Sequence, residues 1–161
     1  MKTEWSSLIR LKDLENHPEL VPARPGVYII MKGKRVSRVG GVDPNGILYI
    51  GQGVNLRQRL KKFLYADHIA SYFLWKQLSV AQKIFRTKIL TKKDAERIFS
   101  RLTAKFSPIP KYQLNIAERA VLFSYIRKYG ELPPLNFSLP RRLGRDPGEK
   151  LSEWATNGVR Y

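Results

Sequence analysis

The chain has 161 residues, no cysteine, and 30 Lys and Arg against 13 acids, a formal charge of +17. Its 43% hydrophobic content builds a core and excludes disorder, and zero cysteine excludes a disulfide framework and Cys-ligated zinc. A charge that lopsided opposes compaction and implies a polyanionic partner: nucleic acid before an anionic membrane surface, since no long basic amphipathic helix is present to lie on a bilayer.

The first twenty residues are charged throughout and lack the apolar centre of a signal peptide. No apolar run approaches the ~20 residues that span a bilayer, so a soluble cytoplasmic protein is expected. Residues 7–15 carry Leu8, Ile9, Leu11 and Leu14 and read as a short helix, which the three prolines of HPELVPARPG end. GVYIIM (26–31) is β-rich; KGKRVSRVGGVDPNG reads as a basic loop with room for a short strand, closed by DPNG turn chemistry; ILYI (47–50) is a second clear strand.

NLRQRLKKFL (55–64) reads as a helix capped by Asn55, with Leu56, Leu60, Phe63 and Leu64 on one face. Arg59 lies at the edge of that face beside Phe63, Arg57 borders the other side, and Lys61 and Lys62 point to solvent. LSVAQKIF (78–85) fits either a third strand or a helix. Thr91 followed by Asp94 signals a helix start that DAERIFSRLTAKF continues until SPIP. Residues 113–129 form the strongest helical pattern, closed by Gly130. ELPPLNFSLP reads as extended, and the tail from Arg141 as a basic surface extension.

On the 113–129 wheel, Leu114, Val121, Leu122, Tyr125 and Tyr129 make an apolar stripe, and Glu118 lies inside it. Burying a carboxylate is costly unless it is paired, hydrogen-bonded or metal-bound. Two accounts stand: a salt bridge or a stripe edge facing water, or a metal ligand or general base at the floor of a cleft.

Gly26-Val27-Tyr28 and Tyr49-Ile50-Gly51 resemble the two signature tripeptides of the GIY-YIG endonuclease superfamily. That family carries an Arg ten residues after the second Tyr, a Glu on a later helix and an Asn shortly after it; Arg59, Glu118 and Asn136 match in order and context. The likeness covers roughly residues 20–137, leaving 1–19 and 138–161 as N-terminal and basic C-terminal extensions. There are two departures: a longer basic loop between the tripeptides, and Phe63 where relatives often have His or Tyr.

The resemblance implies an α+β fold, a small three-stranded antiparallel sheet flanked by helices. It implies hydrolysis of DNA phosphodiesters with one divalent metal, Mg²⁺ or Mn²⁺, by tyrosine-assisted water attack. Glu118 would then hold the metal, Arg59 stabilise the transition state, and Tyr28 act as general base or orient the water. Tyr49 would bind phosphate or steady Tyr28, and Asn136 orient Glu118 or touch DNA. Gly51 and Gly53 would let the backbone turn tightly against a ligand; no Walker lysine follows them. Lys32, Lys34, Arg35, Arg38, Arg57, Lys61, Lys62, Arg141, Arg142 and Arg145 are candidate phosphate contacts, which give affinity without sequence information. The expected partner is DNA, bound by a monomer or homodimer, with no membrane. The rival readings are a DNA- or RNA-binding module on the same fold with little catalysis, and a basic structural protein of a ribonucleoprotein.

Overall fold

The computed structural model describes residues 4–65, 83–86, 91–138 and 148–160. In chain order its strands are β1 (Ile9–Arg10), β2 (Gly26–Met31), β3 (Val36–Arg38), β4 (Gly41–Asp43), β5 (Ile47–Gly53) and β6 (Thr103–Pro108). The α-helices are α1 (Leu56–Leu64), α2 (Lys92–Phe99), α3 (Leu114–Tyr129) and α4 (Gly148–Val159), with one further helical turn at 83–85. Strands β1-β6-β2-β5 form an antiparallel sheet in that order, and β3-β4 a separate hairpin. Among the described residues no helix is long and apolar enough to cross a membrane.

Every residue of β2 is buried, so the sheet needs a cover on each face. Tyr28 and Ile30 join Ala104 and Phe106 on one face, under α1, α2 and the 3-10 turn carrying Leu11 and Leu14. Val27, Ile29 and Met31 point the other way, against Ala117, Val121 and Tyr125 of α3 and Trp154 of α4. Each such side chain contributes about 1.5–3 kcal/mol on burial. Local signals agree with this packing. The Asn55 side chain accepts from the Gln58 amide, Thr91 and Asp94 form a reciprocal cap, and Gly130 closes α3 at φ 77°.

Four expectations change. The sheet has four strands rather than three, because Ile9–Arg10 pairs with β6 before the chain coils into the turn at 11–15; the helix expected over 7–15 is only that turn. The helix begun at Thr91 ends at Phe99, and Thr103–Pro108 is an inner strand of the sheet. Its two-residue alternation, Ala104 and Phe106 against Lys105 and Ser107, follows SRLT with no Gly or Pro to mark the change of period. Within 78–85, the segment left open as strand or helix, 78–82 lies outside the described residues and 83–85 is helical.

Third, the terminal segments belong to the body. Trp5 stacks on Trp154 at 5.0 Å between ring centroids and donates to the Trp154 carbonyl at 3.0 Å. A Cβ on Gly158 would meet the Trp5 ring at 2.4 Å, so only glycine admits this approach. Lys105 Nζ donates to the Arg160 carbonyl at 2.8 Å, across the end of α4.

Fourth, the inserted loop contains the docked β3-β4 hairpin. Gly40 donates to the Tyr129 carbonyl at 2.8 Å, and Val39 donates to Glu131 Oε1 at 2.8 Å. Asp43, fully buried, anchors its base. Its carboxylate accepts from the amides of Asn45 (3.0 Å), Gly46 (3.1 Å) and Ile47 (2.7 Å) and from the Tyr125 hydroxyl (3.1 Å). Asp43→Ala leaves those donors without their acceptor and is expected to cost about 3 kcal/mol, read as a lower urea midpoint at unchanged m-value.

Candidate active site

Tyr28 on β2 lies opposite Gly51 on β5. A Cβ at Gly51 would sit 2.7 Å from Tyr28 Oη and 2.5 Å from Tyr49 Cε1. The glycine therefore makes room for two phenols across the strand pair. It lies within β5, as does Gly53, so neither makes the tight turn expected of them. A Cβ at Gly53 would come within 3.2 Å of Arg59 Cβ and 3.4 Å of its Nε; the arginine side chain lies over this bare stretch of strand.

The two tyrosine rings stand 6.0 Å apart at 42°, and their hydroxyls are hydrogen-bonded. Tyr28 is wholly buried, whereas Tyr49 is half-buried and lines a cleft. Burial first, then Tyr49 and Glu118, push Tyr28 well above the ordinary phenol range against the pull of Arg59. Burial and then Glu118 push Tyr49 up to about 12. Both phenols hold their protons at neutral pH and can donate hydrogen bonds. Phe63 is fully buried between Tyr49 and Phe99, at centroid distances of 6.2 and 5.9 Å, so that position supports the tyrosines from behind.

Glu118 comes from α3, on the other side of the sheet. Its Oε2 accepts from Gln52 Nε2 at 3.1 Å, and Gln52 also donates to Asn115 Oδ1 at 2.6 Å. Among the described residues no salt bridge closes on Glu118. Burial raises its pKa to about 7, against Gln52 and Arg59. It faces a cleft of about 410 Å³ shared with Tyr49, Gln52, Leu122, Asn136 and Phe137. Among the described residues the salt-bridge account therefore falls, and both a stripe edge facing water and a ligand or base at a cleft fit this placement.

Asn136 has a structural task. Its Oδ1 accepts from the Ile50 amide at 2.9 Å and its Nδ2 donates to the Ile50 carbonyl at 2.7 Å, as a neighbouring strand would. With the Leu135 amide on the Leu48 carbonyl at 2.9 Å, it closes the free edge of β5 and fixes the cleft wall.

Three expected phosphate contacts are engaged within the fold. Arg57 donates to the Val21 carbonyl at 2.8 Å, Lys32 to the Ile84 carbonyl, and Arg38 to the Leu132 carbonyl and Glu131. Lys34, Arg35 and Lys62 are exposed and Lys61 partly so; Arg141, Arg142 and Arg145 lie outside the described residues.

Gln52, Asn115 and Phe137 were not singled out from the sequence. Reading β5 on through Gly51 would have found Gln52, because strand alternation puts it on the α3 side.

A divalent metal fits the donor set. Glu118 faces the cleft, and a hard cation that keeps most of its waters needs few protein carboxylates. Glu118 is half-buried and, among the described residues, forms no salt bridge; it would supply the anchoring oxygen.

A carboxyl raised in the fold favours the protonated state, so its burial weakens the fold as pH climbs from the ordinary 4.5 through about 7. In EDTA, Glu118→Gln is expected to melt several degrees above the wild type at pH 8 and level with it at pH 4.5; thermal melts at both pH values check this.

Compared with known protein families, characterised proteins and solved structures, the chain matches none.

Proposed function

We propose that the chain is a divalent-metal-dependent DNA endonuclease of the GIY-YIG kind. One observation carries the reading. Tyr49, Glu118 and Asn136 line one cleft, Tyr28 is buried behind Tyr49, and Arg59 lies near enough to act on both phenols, although the five are scattered over more than a hundred residues. Glu118 acts electrostatically on both phenols as well. A half-buried carboxylate with no salt bridge among the described residues, near a guanidinium and two neutral phenols, suits a phosphodiester together with a metal ion.

Hydrolysis requires a water oxygen to bond to phosphorus while the P–O bond to the leaving group breaks and that oxygen takes a proton. Glu118 would hold the metal, with its carboxylate oriented by the hydrogen bond from Gln52. Mg²⁺, or Mn²⁺ in its place, supplies charge neutralisation at the phosphate when bound. Arg59 offers a planar fork to the non-bridging oxygens and stabilises the charge that builds on them. Tyr49, at the cleft wall, hydrogen-bonds the incoming water or the phosphate. Tyr28, buried behind it, fixes the Tyr49 hydroxyl. Tyrosine assistance here means orientation, since both phenols stay protonated. One such site cuts one strand; duplex cleavage takes a second copy or a second nick.

On supercoiled plasmid in Mg²⁺, the wild type is expected to nick or linearise, while EDTA or Glu118→Gln abolishes cutting and Arg59→Ala slows it about a hundredfold or more. Binding without cutting, across a library of plasmid sequences in Mg²⁺, would replace this reading with the non-catalytic DNA- or RNA-binding module. Because Glu118 must be ionised to hold a metal, the cleavage rate should rise with pH through about 7. Added metal should move that midpoint downward, as metal competes with the proton. A pH–rate profile at two Mg²⁺ concentrations measures both effects.

A further inference from the structure

Beside the Glu118 cleft lies a second, larger one of about 670 Å³, walled by the β3 strand, residues 83–86 and the loop at 131–136. Arg35, Lys83 and Arg86 line it as exposed cations, and Lys32 and Arg38 form its walls through their bonds to the Ile84 and Leu132 carbonyls. Glu131 is the acid in the lining, and it is engaged by Arg38 at 3.1 Å and the Val39 amide at 2.8 Å. The like charges act on one another: after burial, Arg86 and Lys34 pull the Lys32 ammonium below its ordinary range. A concave surface of one sign, held together against self-repulsion, raises the local concentration of an anionic ligand.

The form of the cleft says which anion. A small anion is bound by donors converging on one point, whereas Arg35, Lys83 and Arg86 are exposed and come from two separate segments of an open cleft's lining. That suits an extended polyanion with repeating charges. Asn136 lines both clefts, so the second cleft adjoins the Glu118 site. Pro133 and Pro134 make a stiff wall there.

We propose that this trough is a flanking-backbone track: the nucleic-acid strand whose reacting phosphate lies at Glu118 runs past Asn136, and Arg35, Lys83 and Arg86 pair its neighbouring phosphates. The inference rests on the proposed function for the reacting phosphate, but its own content is the path of the backbone beyond the site. Arg35, Lys83 and Arg86, all outside the candidate active site, then carry a definite share of DNA affinity.

The test is the salt dependence of duplex DNA binding, by fluorescence anisotropy in EDTA, so that cleavage plays no part. Each lost phosphate contact lowers the slope of log K against log salt by about 0.9. Lys83→Gln/Arg86→Gln is expected to flatten the slope by about 1.8 and to weaken binding about tenfold or more near 100 mM salt. Lys111→Gln/Lys150→Gln removes the same charge from exposed positions outside both clefts and should leave the slope unchanged. Equal thermal melts establish that the variants are folded. Wild-type binding with the same slope in the trough variant, or an equal loss in the control, overturns the track and leaves the nuclease reading standing. No duplex binding by the wild type overturns both.

Discussion

A strand with no exposed side has to be covered twice. That requirement on β2 organises the molecule. Helices α1 and α2 lie over one face of the sheet and α3 and α4 over the other, which leaves the margin at β5 as the place where groups from both covers can meet. Arg59 belongs to one cover and Glu118 to the other. They act on the same two tyrosines because the strand between them carries glycine at 51 and 53 and so has no side chains in the way. The site is a consequence of sheet geometry before it is a matter of chemistry.

Much of this was legible in the sequence where local signals and tertiary packing agree. The strands at GVYIIM and ILYI, the Asn55 cap, the apolar face of α1, the Thr91–Asp94 start and the Gly130 stop all stand. The misreading of β6 has a physical cause. Ala104, Lys105 and Phe106 suit a helix as readily as a strand, and only pairing with β2, more than seventy residues earlier, decides between them. The tail read as a surface extension because its charge is at its start, while Trp154, Ala155 and Val159 bury further on. At the site, the odd carboxylate in an apolar stripe pointed to Glu118. The burial of Tyr28 and the grip of Asn136 on Ile50 depend on contacts across the sheet margin, which no local pattern encodes.

The charge of +17 also divides into unlike parts. Arg57 reaches Val21, Arg38 holds the end of α3, and Lys105, lowered to about 8 by burial, holds the end of α4; these cations are structural. Others line an open trough with no free acid to oppose them. Net charge alone identifies a polyanionic partner, and only the fold separates the cations that hold the chain together from those left to meet it.

The Trp5–Trp154 stack joins residues 149 positions apart. A ribosome releases the chain from the N-terminus, so Trp5 emerges long before its partner exists. Until residues 148–160 have emerged, the outer layer over α3 is missing and Lys105 lacks the carbonyl that holds it. This face therefore closes only after α4 is made, and a ribosome stalled before α4 would present an incompletely covered apolar face to the cell's chaperones and proteases.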